Sequence, residues 1–597
     1  MANDSYSKHN QGLRTQARRP KHRLEDLKII STPLCGGLAY RCQSTLYQNL
    51  KSFKIYIISL RVTFLVKGFM KQGFPVVLTA DRTLMSEYNG GIFLGFSACI
   101  PRGLIPDSVY FSLFCPSVKA DKNGVVEVAP YGTRKIEAAL LENGFSREEV
   151  IVAHPDRLDR VIGPKTKVIG ITENDPLGIG PATSTFTQIF GGEAYMAVKF
   201  RELLRHPSIR RFKPKIIVGG PGAWQLENEE LRRELGIDCV VIGEGEKVAP
   251  SLFEKALNGE ELPGVVYGET ASIEDIPTIK GAAVDGLVEV ARGCGRGCRF
   301  CVPTLQLYRC LPIDRILKEV EVNIKAGRNP ILHAEDVLRY GAKGIEVNRE
   351  AVINLFKAVK GYPGVERVGI SHFALASVAS APEVIEEISD ILGIDEKNWF
   401  SGQTGIETGS PELIEKLMRG KCKPFTPEEW PEVVLRAFEI LSENNWVPCA
   451  TLILGLPGEK ERDLEATVDL IEELRPFKSL IVPLFLVATG GLKGKAESFG
   501  LEEMGQRHSE VFLKCWEHNL DWGPTLIKEW TERNIRNPIA RHGVKLILSY
   551  AIKQGRRLID RCKKEYYYDL KAMIEDLKSE RVKTMPVTTR FLYRLLS

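Results

Sequence analysis

The stretch Ala291-Arg-Gly-Cys-Gly-Arg-Gly-Cys-Arg-Phe-Cys-Val302 sets Cys294, Cys298 and Cys301 in a C-x₃-C-x₂-C spacing, directly after the apolar run Gly286-Leu-Val-Glu-Val-Ala291. Thiolates this close on a glycine-interrupted loop can converge on one inorganic centre. Three of them leave a four-iron cluster one iron short of protein ligands. Arg292, Arg296 and Arg299 can offset the charge of the thiolates. With 13 cysteines in 597 residues, the triplet arises by chance with odds on the order of one in a hundred. The structural alternative is zinc, which needs a fourth ligand for tetrahedral closure, and Cys310 and His333 are the candidates.

Outward from that loop, the length predicts two to four domains, each with enough apolar content to bury a core. Scattered cysteines do not read as a secreted disulfide framework, and a reducing, cytoplasmic compartment is expected. Residues 1–69 carry twelve Lys or Arg against three Asp or Glu, although the whole chain is only +5. The remainder is therefore slightly acidic, and no nucleic-acid footprint runs across it. No apolar run approaches the ~20 residues that span a bilayer. Residues 1–69, with Cys35 and Cys42, read as a basic, disordered extension or as the product of an early start ahead of Met70. Residues 70–122 read as a small, irregular α/β or β segment.

From Asn123 to Leu262 strands and helices alternate. Strands are expected at Val125–Ala129, Val150–Ala153, Lys167–Thr172, Lys215–Gly219 and Cys239–Ile242, with a long helical segment near Ala182–Leu204. Such spacing predicts a parallel sheet covered on both faces, with ligands in the crevice at the carboxyl ends of its strands. Three of those ends carry small-residue loops: Glu173-Asn-Asp-Pro-Leu-Gly-Ile-Gly-Pro181, Gly219-Gly-Pro-Gly-Ala223 and Gly243-Glu-Gly-Glu246. Each glycine can simply make a tight turn; three loops on one rim suggest a binding face. His154, at a strand end, reads as a rim or packing residue.

With Ile217-Val-Gly-Gly-Pro-Gly-Ala-Trp224 and Val241-Ile-Gly-Glu-Gly-Glu246 placed ahead of the cysteines, this region resembles the cobalamin-binding domain of B12-dependent radical SAM enzymes. The resemblance implies cobalamin contacts at Pro176, Gly178, Gly219, Gly220, Gly243 and Gly245. The chain departs from domains that give cobalt a histidine: Pro130-Tyr-Gly-Thr133 has none, so cobalamin is expected without a histidine axial ligand.

The cysteine triplet, with Phe300 before its last member, resembles the signature of the radical SAM superfamily. That resemblance implies a [4Fe–4S] cluster on Cys294, Cys298 and Cys301, whose open iron is chelated by S-adenosylmethionine (SAM). Reductive cleavage of SAM then yields a 5′-deoxyadenosyl radical that abstracts hydrogen from a substrate. Strands expected at Gly286–Ala291, Ile331–Ala334, Arg367–Phe373, Ser401–Ile406, Ala450–Leu454 and Ser479–Leu486 alternate with helices, as a partial parallel barrel requires. By resemblance, SAM-binding positions are Phe300, Glu335, Asp336, Ser371, Glu407 and Gly455. Ala334-Glu-Asp336 stands where the family has G-G-E. No catalytic residue beyond these can be named.

The expected fold class is α/β: a doubly wound, flavodoxin-like, cobalamin-binding-type domain at 123–262, a partial (β/α)6 TIM-like radical SAM barrel at 280–490, and a helical tail at 491–597. The resemblance implies a methyltransferase acting on an unactivated carbon, served by a reductase or ferredoxin-type electron donor. A radical SAM enzyme without cobalamin, inserting sulfur, forming C–C bonds or rearranging its substrate, is the second reading. A non-catalytic metal-binding or scaffold protein is the third. The substrate is not legible in the sequence.

Overall fold

The computed structural model describes residues 72–578, apart from residues 91 and 536. The expectations for residues 1–69, including Cys35 and Cys42, lie outside the described residues, which belong to one compact unit. No helix among them is long and apolar enough to cross a membrane.

The first sheet has six parallel strands: β1 Val76–Ala80, β2 Val150–Val152, β3 Val168–Thr172, β4 Lys215–Gly219, β5 Cys239–Gly243 and β6 Val265–Gly268. They lie in the order β2-β1-β3-β4-β5-β6. The period of two along a strand assigns the faces. Val76 and Leu78 pack with Val150, Val168 and Ile217 on one side, while Val77 packs with Ile151, Ile169 and Val218 on the other. Both faces are buried, hence the unbroken apolar runs. The first strand of this sheet thus comes from the segment 70–122 expected to be irregular. Val125–Ala129 is not one of its strands: Val125 makes a single antiparallel bridge to Ala153, and Val128–Ala129 pairs with Ala282–Ala283. The long helix expected near 182–204 is two helices, Pro181–Phe190 and Tyr195–Leu204, because Gly191 and Gly192 both take left-handed backbone.

Chain order reverses between β1 and β3, the position where open α/β sheets place a ligand crevice. Here that position is filled by two carboxyl groups with no exposure, Asp81 and Glu173. The Asp81 N–H donates to Glu173 Oε1 at 3.1 Å, and Asp81 Oδ1 accepts from Thr83 N and Oγ1. The remaining oxygens, Asp81 Oδ2 and Glu173 Oε2, have no other partner. Burial first, then the neighbouring acid, raises the Glu173 carboxyl well above its ordinary value, and burial raises Asp81. A proton held by the pair accounts for both.

The second half builds a row of parallel strands: β7 Leu287–Glu289, β8 Ile331–His333, β9 Gly369–Ile370, β10 Phe400–Glu407, β11 Trp446–Leu454 and β12 Leu480–Phe485. β7, β8 and β9 pair in one sheet and β10, β11 and β12 in another, and a parallel bridge between His372 and Gln403 joins them. Along β10 and β12 buried and half-buried residues alternate. The buried set, with Phe373 and Phe400 edge-on to Trp446, packs against the helices. The half-buried set faces the other way.

The two halves meet through specific polar contacts. Thr185 Oγ1 accepts from Phe485 N–H at 2.7 Å, and Gln188 Oε1 accepts from Leu501 N–H at 2.8 Å. The Tyr131 hydroxyl donates to Glu319 at 2.6 Å and accepts from Glu289 N–H. The helices Gln506–Asn534, Pro538–Glu565 and Leu570–Lys578 complete the described chain.

Candidate functional site

The cysteine loop leaves β7, makes a short antiparallel pair between Ala291–Arg292 and Arg309–Cys310, and has no regular structure across the thiols. Gly293, Gly295 and Gly297 all have left-handed φ, and a Cβ at Gly293 would stand 2.2 Å from the Leu307 carbonyl oxygen. Only glycine accepts that backbone at no steric cost, which is why the loop alternates Gly with Cys and Arg. Cys298 is buried, and Cys294 and Cys301 are half-buried.

Arg296 is the anchor of the loop. One of its nitrogens donates to the carbonyls of Gly420 (3.1 Å), Lys421 (3.2 Å) and Lys423 (2.9 Å); the other donates to Asp336 Oδ2 (3.1 Å) and Ser377 Oγ (2.9 Å). Arg339 donates to the Cys294 carbonyl, and Thr489 Oγ1 donates to the Phe300 carbonyl at 2.9 Å. The loop is therefore tied to four later segments of the chain.

Charged groups converge on the thiols. Glu335 and Arg296 act on Cys294; Lys421, Glu407 and Arg296 act on Cys298. A hydrogen bond from Cys301 is the largest influence on Cys298. With the two cations it outweighs burial and brings that thiol down to about 7. Cys301 is correspondingly raised.

The positions expected to bind SAM divide into two groups. Glu335, following β8, has one buried carboxylate oxygen, Oε2, without a partner. Glu407 sits at the end of β10 after a bulge, in left-handed backbone, and contacts Lys421 Nζ at 2.9 Å and the Thr451 hydroxyl at 3.2 Å. These two acids flank the cysteines. Asp336 does not join them: both its oxygens are used internally, by Arg296, Ser377 Oγ (2.7 Å) and Ala374 N–H (3.1 Å). The Ser371 hydroxyl donates to the Ala334 carbonyl and meets His333 Nδ1 at 2.9 Å. Gly455 N–H donates to Glu459 Oε2, and its open side is filled by Phe499. Phe300 is half-buried.

Sequence reasoning missed Lys421 and Arg339, and it placed His372 at the end of the third barrel strand without giving it a role. The His372 Nδ1 is buried without a partner, and burial, then His333, lowers its ring to about 4. None of these three has a spacing signal, because each belongs to the site through a fold contact. Cys310, offered as a fourth zinc ligand, accepts from Gly341 N–H and contacts the Tyr308 hydroxyl. His333 faces Ser371. Among the described residues no three His, Cys, Asp or Glu side chains stand together as a metal site. The chemistry of the donor set fits a thiolate-bound cluster: three cysteines on one loop with Lys421 and Arg296 to balance them.

At the rim of the first sheet most glycines among the expected cobalamin positions pack their Cβ side closely against neighbouring segments. A Cβ at Gly220 would lie 2.5 Å from the Glu173 carbonyl oxygen, and Gly222 abuts Asn174 and Pro176. Gly243 abuts Gly268, and Gly178 abuts Thr183 and Ala197. Gly245 lies against Ile136, and only Gly219 has looser surroundings. These glycines let loops pack on loops. Across the same sheet, His154 lines a cleft of about 730 Å³ with Ser117, Lys122, Arg157 and Arg160. Its Nδ1 accepts from Asp156 N–H, which leaves Nε2 to donate to Ser117 Oγ; the pair braces a turn and leaves the serine unactivated.

The geometry defines an α/β protein with a three-cysteine loop at the carboxyl end of a parallel strand. Residues 288–471 match the family model of the Radical SAM superfamily, and this segment is a radical SAM domain. Among curated relatives, the chain is 27% identical over 272 residues to tRNA-2-methylthio-N(6)-dimethylallyladenosine synthase of Orientia tsutsugamushi, covering 44% of this chain and 57% of that protein. An uncharacterized methyltransferase of Pyrococcus horikoshii is 25% identical over 366 residues, 55% of this chain and 71% of that one. The chain thus spans little more than half the length of the first of these. Among solved structures, the radical SAM methyltransferase TsrM of Kitasatospora setae, with cobalamin and a [4Fe-4S] cluster bound, aligns with TM-score 0.47 at 14% identity over 70% of this chain and 77% of that chain.

Proposed function

We propose that Cys294, Cys298 and Cys301 hold a [4Fe–4S] cluster and that the chain is a radical SAM transferase modifying an unactivated carbon. The partial (β/α)6 barrel of this reading is the six-strand row, with its site at the strand ends. When bound and reduced, the cluster supplies reductive cleavage of the SAM sulfonium, the source of a radical that abstracts hydrogen. The observation that carries the reading is the unpartnered buried Glu335 carboxylate oxygen beside Cys294. An ammonium group is the partner that oxygen lacks, and SAM carries one. Lys421 and Thr451 hold Glu407 on the opposite side, where a ribose hydroxyl can donate to it. Phe300, Ser371 and Gly455 shape the wall between, and Asp336 positions Arg296 instead of touching SAM. Electrons come from a reductase or ferredoxin-type donor.

Two transfers remain in view. Methyl transfer is the first, with cobalamin as the methyl carrier; it is favoured because the carboxyl rim of the first sheet abuts the cysteine loop, Arg292 meeting Glu244 and Glu246. Sulfur insertion is the second, favoured by the name of the Orientia relative, which modifies tRNA. Anaerobic purification followed by assay of iron, of cobalamin and of 5′-deoxyadenosine release separates them. Stoichiometric cobalamin supports methyl transfer. Absence of iron, or 5′-deoxyadenosine release that survives Cys298→Ala, sinks both.

A further inference from the structure

The Gly243-Glu-Gly-Glu246 loop, expected to face a cofactor, is spent on the chain's own arginines. Arg292, two residues before Cys294, meets three carboxylates: Glu244 Oε2 at 2.6 Å, Glu246 Oε1 at 2.8 Å, and both oxygens of Glu289 at 2.7 and 3.0 Å. Arg309, which lies opposite Arg292 in the short antiparallel pair, takes Glu244 with both outer nitrogens, at 2.7 and 2.9 Å. Behind them Lys135 contacts Glu289 at 3.7 Å and Glu319 at 2.7 Å. Glu244, Glu246, Glu289, Glu319, Lys135 and Arg309 are all less than a tenth exposed.

We infer that Glu244 and Glu246 are positioning residues for the cysteine loop, through which the rim of the first sheet sets the placement and the reduction potential of the cluster. The inference rests on the assignment of Cys294, Cys298 and Cys301 as cluster ligands. A buried ion network is weak evidence for stability, since apolar residues of similar size serve as well or better. What it supplies is geometry: a planar guanidinium held by three carboxylates has one orientation. Two peptide units from its Cα, at most about 7.6 Å, is Cys294. The network also holds four carboxylates against Lys135, Arg292 and Arg309, a surplus of one negative charge in a low-dielectric setting. Such a charge opposes addition of an electron nearby and keeps the potential low, as a one-electron donor to a sulfonium requires.

The test uses the full chain, reconstituted anaerobically with iron and sulfide. Glu246→Gln, whose side chain is held through one oxygen, is expected to keep full iron content and shift the midpoint potential positive. Glu244→Gln is expected to broaden the electron paramagnetic resonance signal of the reduced cluster and blunt its response to added SAM. Tyr131→Phe removes two hydrogen bonds from the same network, the one to Glu319 and the one from Glu289 N–H, without changing its net charge, and is expected to leave the potential at its wild-type value. The inference is overturned if both glutamate variants fold and keep the wild-type potential and spectrum, or if Tyr131→Phe shifts the potential as much as Glu246→Gln. Should Glu244→Gln fail to fold, the potential of Glu246→Gln decides alone. A wild-type chain that takes up no iron overturns the cluster assignment and this inference with it.

Discussion

Replacing Asp336 by Asn tests whether the cysteine loop is held by the ion pair to Arg296. Both residues are nearly buried, at 2% and 7% exposure, and the Asp336 oxygens satisfy Arg296, Ser377 and Ala374. In the variant an amide NH₂ replaces Oδ2 and faces two donors, while the guanidinium loses its counter-charge. Breaking a buried pair costs about 3–5 kcal/mol. The three carbonyls to which Arg296 still donates place the cost near the lower end, about 3 kcal/mol. At 1.4 kcal/mol per decade, that raises the local opening constant roughly a hundredfold. Amide hydrogen exchange on peptides covering 293–301 and 419–424, with the β3 peptide 168–172 as reference, measures it. A rise under threefold at the loop, or an equal rise in β3, would refute the assignment of Arg296 as the anchor.

Glu173→Gln should flatten the alkaline side of the stability profile. A carboxyl raised in the fold contributes stability that is complete below its unfolded value of 4.5 and is lost as pH rises through the folded value, so wild-type melting temperature should fall with pH where the variant's does not. Glu289 runs the opposite way. Burial pushes it up, but Arg292 and Lys135 outweigh that and hold it at about 2, so its contribution is present above its ordinary 4.5 and is lost as pH falls towards 2; Glu289→Gln should remove that acid limb in a circular dichroism titration. Gly420→Ala sets a Cβ 1.8 Å from the Arg296 carbonyl oxygen. Overpacking of about 1–3 kcal/mol should appear as reduced iron uptake with an intact far-ultraviolet spectrum, and wild-type uptake would count against the loop contact.

Much of the site was legible in the chain because its information is local. A C-x₃-C-x₂-C loop after an apolar strand is a statement about spacing, and the strands behind Glu335 and Glu407 announced themselves by apolar runs of the right length. Asp336 shows where that stops. Its place beside Glu335 suggested a shared role, but in the fold Arg296, Ser377 and Ala374 take up both its oxygens. The glycine loops of the first sheet show the same limit, since a missing Cβ signals close approach without saying what approaches; at Gly220 and Gly222 it is the neighbouring loop.

The sequence by itself determined the alternation of strand and helix, the cysteine loop and the rim on which acids could gather, because these depend on periodicity and on residues a few positions apart. Only the tertiary structure decided that Val76–Ala80 enters the first sheet, that Asp81 and Glu173 meet at the switch point, and that Arg292 joins Glu244 and Glu246 to the cysteines. Each is a contact between segments distant in the chain. Their free energy comes from burying apolar surface and from pairing the polar groups buried with it, which no local pattern encodes.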